Sequence, residues 1–397
     1  MGRAPWEGMI KSGVAALLVL SLAGCASGRY GPPPDADAPE GPRTLKKLSV
    51  DERRQLMQRA RVWQSINTSS LNLLRGPRLP ASERVAAEVT CAYVHPDEPL
   101  SGNTPKFECA LSKGDEVKVK YGEDNGEVYA EVAASRLLWA LGFKADTMLP
   151  SRVTCIKCPV DPFAAGTTNW RSKPPIDLAT RVFDPAVIER DIPGKSIETP
   201  GFEGWAWPEL DQIRPRVASR AQFDALKLLA VFIQHSDSKP DQQDIICAEG
   251  QSRKDARGGE TCREPWLVIK DLGATFGKAT RLNSSKMILA DWDSAGVWKS
   301  AGSTKGQPAR CVGDLPRSLT GSLEDPVISE AGRRFLSRRL AQLSDRQLRD
   351  LFTVSQIERR GEEMTGADGN KRKVTVADWV RVFKRKRTEI STARCLP

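Results

Sequence analysis

The sequence predicts an α+β fold with two lobes, a small β-rich lobe with one helix followed by a larger, mainly helical lobe. Three short runs that alternate apolar and polar residues come early in the chain, and an amphipathic helical pattern follows them. A strongly apolar helical stretch and three further helical patterns fill the second half. Strands and helices are therefore segregated along the chain, as in α+β folds rather than in alternating α/β folds.

The first 24 residues have the pattern of a cleavable export signal. Lys11 supplies the positive start, and the apolar run Val14–Leu22 is shorter than the roughly 20 residues that cross a bilayer. The signal ends in Leu-Ala-Gly before Cys25, so we expect Cys25 to be the lipidated first residue of the mature protein. Residues 25–47 are rich in Pro, Gly, Ala and Asp and predict a disordered tether.

These features predict an exported lipoprotein that is held to the membrane by its N-terminal lipid. Ala26 is not acidic, which favours attachment to the outer membrane, facing the periplasm. The formal charge of +10 comes from basic residues interleaved with acidic ones, so we expect no nucleic-acid partner. The dense basic run Arg381–Arg387 is typical of the solvated face of a last helix.

Besides Cys25 the chain has eight cysteines, an even number that suits an oxidising compartment. Nearest-neighbour pairing predicts four disulfides, although spacing alone leaves other connectivities open. A zinc or redox role for the Cys155-x-x-Cys158 pair is the alternative, which the lack of a second such motif disfavours. The expected pairs are Cys91 with Cys109, Cys155 with Cys158, Cys247 with Cys262, and Cys311 with Cys395.

Residues 48–158 are predicted to form the first lobe with a preceding helix. That helix begins at a capping box of Ser49 and Glu52. The second helix has an apolar stripe and ends at Gly142. The predicted elements are the helix Leu48–Trp63, the strands Ala87–Val94, Lys106–Leu111 and Glu116–Tyr121, and the helix Glu127–Leu141.

Residues 159–215 hold many Pro, Gly and Trp residues and little periodicity, so they predict an irregular connector. Residues 216–397 are predicted to form the helical second lobe. Its first helix, Arg220–Gln234, leads into His235, and two short strands flank the polar insertion Ala248–Glu260. The closing helices are expected near Pro326–Leu343, Arg346–Glu358 and Val376–Glu389.

The stretch from His235 to Gln242 has the pattern His-x-Asp-x-Lys-Pro, then an acid and an amide, directly after the apolar helix. About thirty residues later the apolar run Leu267–Gly273 ends in Asp-Leu-Gly. Upstream, an alternating strand carries lysines and the next helix carries glutamates. In this order the motifs resemble the catalytic core of protein kinases. The atypical HipA-like and secretory-pathway kinases are the more similar groups.

The resemblance implies ATP and Mg²⁺ as cofactors and a role for each motif in phosphoryl transfer. Asp237 would orient the attacking hydroxyl and accept its proton, and Lys239 would reach the transferred phosphoryl group. Gln242 and Asp271 would hold Mg²⁺ through their side-chain oxygens. Gln243 is the alternative amide ligand.

Lys120 would contact the phosphates from the strand, and Glu131 on the helix would hold that lysine in place. Lys118, on the same side of the strand, and Glu127, one helical turn earlier, are the alternatives that we rank second. Lys120 matches the last residue of the family's strand, and Glu131 lies further inside the helix.

The sequence also departs from the kinase pattern. Gln242 stands in place of Asn and Ser236 in place of Arg, and no Ala-Pro-Glu segment follows Asp271. No Gly-x-Gly-x-x-Gly loop is present, and Leu100–Pro105 is only a weak substitute for it. Two functions therefore remain open. One is an exported kinase-like enzyme that transfers a phosphoryl group from ATP to an unknown protein or small-molecule hydroxyl. The alternative is an inactive kinase-like binding or scaffold lipoprotein of the cell envelope.

Overall fold

The structure is a computed structural model of the chain and describes residues 49–172, 178–197, 203–214, 218–254, 260–282, 284–300, 308–366 and 368–397. The predicted signal (1–24), the lipidation residue Cys25 and the tether (25–47) lie outside the described residues. Within the described ranges, we find no helix with the length and apolar character needed to cross a bilayer.

The first half of the chain is β-rich, as predicted. Its strands close into a five-stranded barrel that follows the order β1-β2-β3-β6-β5. In chain order the elements are α1 (Val50–Met57), β1 (Glu88–Val94), β2 (Lys106–Ser112), β3 (Asp115–Tyr121), α2 (Gly126–Leu141), β4 (Lys144–Ala145), β5 (Thr147–Cys158), α3 (Pro162–Gly166) and β6 (Ala179–Arg190).

Alternation along β3 determines which side chains enter the barrel. Val117 and Val119 are buried in the barrel's own hydrophobic core, and Lys118 and Lys120 point to the opposite face because successive strand residues alternate. Leu100–Pro105 lies in the connection between β1 and β2. The barrel therefore presents its lysines outward, towards the rest of the molecule.

Helix α2 is buried along almost its whole length. The Asn125 side chain accepts a hydrogen bond from the Glu127 N–H (3.1 Å), and Gly142 ends the helix in the left-handed region at φ 92°. Every residue of the helix except Trp139 is buried. A helix that is buried on all sides belongs to the interior, and its apolar residues join a second, larger hydrophobic core rather than that of the barrel.

The second half of the chain carries most of the helices. Among its strands, β7, β8 and β11 continue a four-stranded sheet in the order β4-β11-β8-β7, so β4 joins the two halves. The elements are β7 (Lys195–Ser196), α4 (Arg220–Phe232), β8 (Gln243–Cys247), β9 (Ser252–Lys254), β10 (Glu260–Cys262), β11 (Pro265–Ile269), α5 (Leu289–Ser294), β12 (Trp298–Ser300), β13 (Cys311–Gly313), β14 (Val327–Ile328), α6 (Glu330–Ala341), α7 (Asp345–Val354), β15 (Glu363–Thr365), β16 (Lys371–Lys373) and α8 (Val376–Thr392).

An aromatic cluster holds the helices of the second half together. Its rings meet mostly edge to face, the arrangement that aromatic quadrupoles favour. The members come from α4, α5, α7, α8 and the segment after β11: Phe232, Phe276, Trp292, Phe352, Trp379 and Phe383.

Four disulfides are present, and they are the nearest-neighbour pairs that the sequence predicts. They join Cys91 to Cys109, Cys155 to Cys158, Cys247 to Cys262 and Cys311 to Cys395. The α+β fold class is confirmed. The predicted strands β1 to β3 and the helices α2, α4, α6, α7 and α8 are present with small shifts of their ends.

The prediction of an irregular connector over 159–215 is wrong. This range contains β6, a twelve-residue strand that pairs with both β3 and β5 and so completes the barrel. Pro185 lies in the middle of β6, and a proline argues against a strand because it cannot donate to the ladder. The neighbouring β5 was not predicted as a strand either, so that strand was missed as well.

The first predicted helix is too long. It begins at the predicted capping box, but α1 ends at Met57. Arg61 instead pairs with Trp266, donating its N–H to the Pro265 carbonyl (2.8 Å). Because β4 covers only Val268 and Ile269 of β11, the earlier part of β11 has free backbone groups that this extended segment satisfies.

Candidate active site

Strand β3 and helix α2 bring Lys120 and Glu131 together. The Lys120 Nζ donates a hydrogen bond to the Glu131 Oε1, and both side chains are buried. Two further carboxylates are near, since Nζ lies 3.9 Å from the Oε2 atoms of both Glu127 and Glu189. The favoured residues of the sequence prediction, Lys120 and Glu131, therefore form a direct buried ion pair.

The charge on Lys120 is compensated by several acids. Burial on its own lowers the pKa of Lys120, but Asp271 and the glutamates around the lysine outweigh burial and hold the pKa well above its ordinary value. Burial likewise opposes the charge on Asp271, and Lys120 together with the Gly273 N–H keeps the pKa of Asp271 below its ordinary value. Both groups are charged at neutral pH.

The pairing of β8 with β11 sets Gln242 beside Asp271. These strands are antiparallel with Gln243 opposite Ile269, so the residue before β8 and the residues after β11 share one end of the sheet. The Lys270 N–H donates to the Gln242 carbonyl (3.0 Å), and the Gly273 N–H donates to the Asp271 Oδ1 (2.9 Å). The end of the predicted catalytic loop and the Asp-Leu-Gly segment are therefore neighbours.

The Gln242 side chain links two charged residues. With its amide nitrogen towards Asp271, it donates to the Asp271 Oδ2 (3.1 Å) and its oxygen accepts from the Lys239 Nζ (3.2 Å). The Lys239 Nζ in turn lies 3.6 Å from the Asp237 Oδ1. A chain of polar contacts thus runs from Asp237 to Asp271.

Asp237 and His235 have perturbed pKa values. Burial raises the pKa of Asp237 to about 6, against the opposing effect of Lys239, and the nearby Asp271 raises it further. Burial lowers the pKa of His235 to about 4, so its ring is neutral at pH 7. Neither ring nitrogen of His235 has a hydrogen-bond partner among the described residues.

The structure brings the six predicted site residues to one place. They form two bonded groups, and the electrostatic interaction of Lys120 with Asp271 joins them. Their chemical roles stay predictions. The groups are Lys120 with Glu131, and Asp237 with Lys239, Gln242 and Asp271.

The alternatives of the sequence prediction have other surroundings. The Lys118 Nζ donates to the Glu189 Oε1 (3.0 Å) instead of reaching α2. Glu127 accepts a hydrogen bond from the Lys286 Nζ. The buried amide of Gln243 has no hydrogen-bond partner among the described residues, and Gln243 lines a cavity together with Asp146 and Asp191. Gln242 is the amide that contacts Asp271.

Glu189 is a site residue that the sequence prediction missed. Its side chain is nearly buried on β6 and contacts both lysines of β3. Burial on its own raises the pKa of Glu189, but Lys118 and Lys120 hold it below its ordinary value. The signal was the apolar run Ala186–Ile188 before it, which the assignment of an irregular connector concealed.

A second group of acids shares Glu189 with the surroundings of Lys120. Oxygen atoms of Asp146, Glu189 and Asp191 lie within 4.8 Å of one another, and carboxylates at this spacing can hold a hard divalent cation. Burial, together with the other two acids, raises the pKa of Asp146 to about 8. A cavity of about 210 Å³ that Asp146 and Asp191 line has Lys270 as its only lining cation among the described residues.

Comparisons with known proteins add little to this geometry. No protein family model matches the chain, and no curated protein matches it. Among solved structures, the chain is similar to the Helicobacter pylori proinflammatory kinase CtkA, with a TM-score of 0.38 and 10% identity over 77% of this chain and 94% of that one. The function proposed below therefore rests on this chain's own side chains.

Proposed function

We propose that the protein is an exported, lipid-anchored phosphotransferase that moves a phosphoryl group from ATP to a hydroxyl acceptor. The observation that supports this proposal best is the meeting of Lys120–Glu131 with Asp271 and Gln242, which come from distant parts of the chain. Phosphoryl transfer mainly needs positioned charges, and these residues supply a charged lysine and a charged aspartate that interact electrostatically.

Each side chain has a step in this reaction. Asp237 accepts the proton of the attacking hydroxyl while the hydroxyl oxygen bonds to the γ-phosphorus of ATP. The bond between that phosphorus and the bridging oxygen breaks, which releases ADP. Lys239 contacts the transferred phosphoryl oxygens, and Lys120 contacts those of the nucleotide. The Lys239 Nζ lies 3.6 Å from the Asp237 Oδ1, so both side chains can contact the same substrate.

Mg²⁺ would be held by Asp271 and Gln242, and it would neutralise charge on the phosphates. The residues fit such an ion. The Gln242 amide lies 3.1 Å from the Asp271 Oδ2, and with its oxygen turned towards that carboxylate the two side chains would offer the oxygen donors that Mg²⁺ prefers.

Nucleotide binding by the full chain, measured with and without Mg²⁺, tests the proposal. Asp271→Asn should abolish the Mg²⁺-dependent binding, and Asp237→Asn should spare binding but remove transfer. Binding that is unchanged in Asp271→Asn contradicts the proposed metal site. Nucleotide binding without any transfer by the parent chain would instead favour the alternative, an inactive kinase-like scaffold.

Export and lipid anchoring are part of the proposal. The four disulfides support an oxidising compartment, and the sequence before Cys25 supports lipidation of that residue. Cys25→Ala should release the protein from the membrane fraction, whereas a variant that stays anchored contradicts lipidation at Cys25.

A further inference from the structure

Arg136 is a buried cation for which no described residue serves as a counterion. It lies on α2 with 2% of its surface exposed, and its Nε and Nη1 atoms have no hydrogen-bond partner among the described residues. Burial lowers the pKa of Arg136 to about 10, with no carboxylate acting against burial. A guanidinium remains charged at neutral pH, so this side chain carries an uncompensated positive charge in the interior.

The chain makes room for this guanidinium at Gly76. A Cβ at this position would lie 1.1 Å from the Arg136 Nη1, and Gly76 has φ 77°, which other residues rarely adopt. The backbone at Gly76 therefore lies directly against the charged group. This close cover keeps water away from one side of the guanidinium.

Arg136 is one of the residues that line a cavity of about 250 Å³. Further cations line it, namely the exposed Arg78 and the half-buried Lys144, and burial lowers the pKa of Lys144 with no carboxylate opposing it. Asp146 is the one acid among the described lining residues. Its Oδ1 is occupied by the Ile192 N–H (2.9 Å), and Arg136 is not among the groups that shift its pKa.

This cavity is separate from the residues of the proposed active site. Arg136 follows Glu131 by five residues, which places the two side chains about 140° apart around the helix. None of the six predicted site residues lines the cavity. A ligand here would therefore occupy a different face of α2 from the nucleotide.

We infer that this cavity binds a small oxyanion, a molecule with a phosphate or carboxylate group that pairs with Arg136. The planar fork of a guanidinium matches the oxygens of either group. Ligand pockets for drug-sized molecules enclose about 300 Å³ or more, so the size of this cavity favours a compact ligand. Lys144 and Arg78 add positive charge, and the partly buried Trp139 supplies an apolar wall.

Calorimetric titration of the full chain with inorganic phosphate and, separately, with acetate tests this inference, at matched ionic strength. Binding of either anion is expected, and the anion that binds identifies the group recognised. Arg136→Met should weaken that binding by about 10- to 100-fold, the effect of losing hydrogen bonds from a charged donor. Absence of binding by both anions overturns the inference.

Two further variants make the result specific. Arg346→Met removes an arginine whose side chain is 82% exposed on α7, and its affinity should match that of the parent. Equal weakening in Arg346→Met and Arg136→Met overturns the site. Arg136→Lys keeps the charge but loses the fork, so it should bind with intermediate affinity; affinity equal to that of the parent contradicts fork recognition even if Arg136→Met fails to fold.

Discussion

Two buried cations, Lys120 on β3 and Arg136 on α2, differ in their surroundings. Lys120 is 4% exposed and is surrounded by the carboxylates of Glu131, Asp271, Glu189 and Glu127. Arg136 is 2% exposed and has no carboxylate partner in the part of the chain that the structure describes. The pKa of Lys120 is raised well above its ordinary value, whereas that of Arg136 is lowered to about 10. Both side chains are buried, so the opposite shifts of their pKa values come from the neighbouring charges.

Lys120 stabilises the fold through its carboxylate partners, whereas Arg136 is the charge for which we propose a ligand as the partner. Removing one partner of a buried ion pair leaves the other partner unpaired and costs stability. Removing a buried charge that has no partner takes away a desolvation penalty instead. The two cations should therefore respond to neutral substitution with opposite signs.

The largest effect is expected for Lys120→Met. It leaves Glu131 and its neighbouring acids without their cation, which should lower the free energy of unfolding by about 3–5 kcal/mol. Urea denaturation at pH 7 measures this. The control is Lys118→Met on the same face of β3, where a side chain that is 37% exposed should cost much less. Equal losses of unfolding free energy in both variants would contradict a special stabilising role of the buried Lys120.

The next effect has the opposite sign. Arg136→Met, without added oxyanion, should raise the free energy of unfolding by about 2 kcal/mol, because a buried unpaired charge is replaced by an apolar side chain of similar length. The same denaturation experiment in an anion-poor buffer measures it. A clear loss of stability would show that Arg136 is compensated by the protein itself.

Asp237 is an intermediate case, with one lysine at 3.6 Å and 30% of its side chain exposed. Its folded-state pKa of about 6 lies above the ordinary value of 3.8, so folding favours the protonated form. The stability that this group contributes is complete below about pH 4 and is lost as the pH rises through about 6.

Asp237→Asn keeps a neutral side chain at every pH and tests this dependence. The variant should gain about 1–2 kcal/mol over the parent between pH 4 and pH 7, a value reduced for solvent screening. Urea denaturation at four pH values measures the difference. In the parent, the transfer rate should rise with pH through about 6, because Asp237 accepts a proton only when ionised. A stability difference between variant and parent that does not change with pH would show that folding does not raise the pKa of Asp237.

The smallest effect is expected for Gln242→Asn. The shorter amide can no longer reach both Lys239 and Asp271, which should lower the free energy of unfolding by about 0.5–1 kcal/mol. Thermal denaturation against the parent measures this, with Gln251→Asn, at a partly exposed residue outside this network, as the control. An unchanged midpoint would mean that the link between the two charged groups carries no stability.

Much of the fold was predictable from local patterns. The alternation of Val117 and Val119 with lysines predicts β3, and Gly142 predicts the end of α2, because these signals depend on neighbours within a few residues. Strand β6 was not predictable in this way. Pro185 interrupts its pattern, and only pairing with β3 and β5 makes the segment a strand.

The site was predictable as a set of residues but not as a network. Motif order selects Lys120 and Asp271, whereas Glu189 enters only because β6 lies beside β3. Arg136 has no motif at all. A polar residue on an amphipathic helix is expected in solvent, and here the backbone at Gly76 covers it.

By itself, the sequence of this protein determined which residue types follow each other at helical or strand spacing, where caps and turns interrupt them, and which polar residues form the kinase-like motifs. Only the tertiary structure decided which charges are buried and which of them are paired. The reason is physical, since the free energy of a charge depends on its solvent exposure and on groups within a few ångströms, and those groups come from distant parts of the chain.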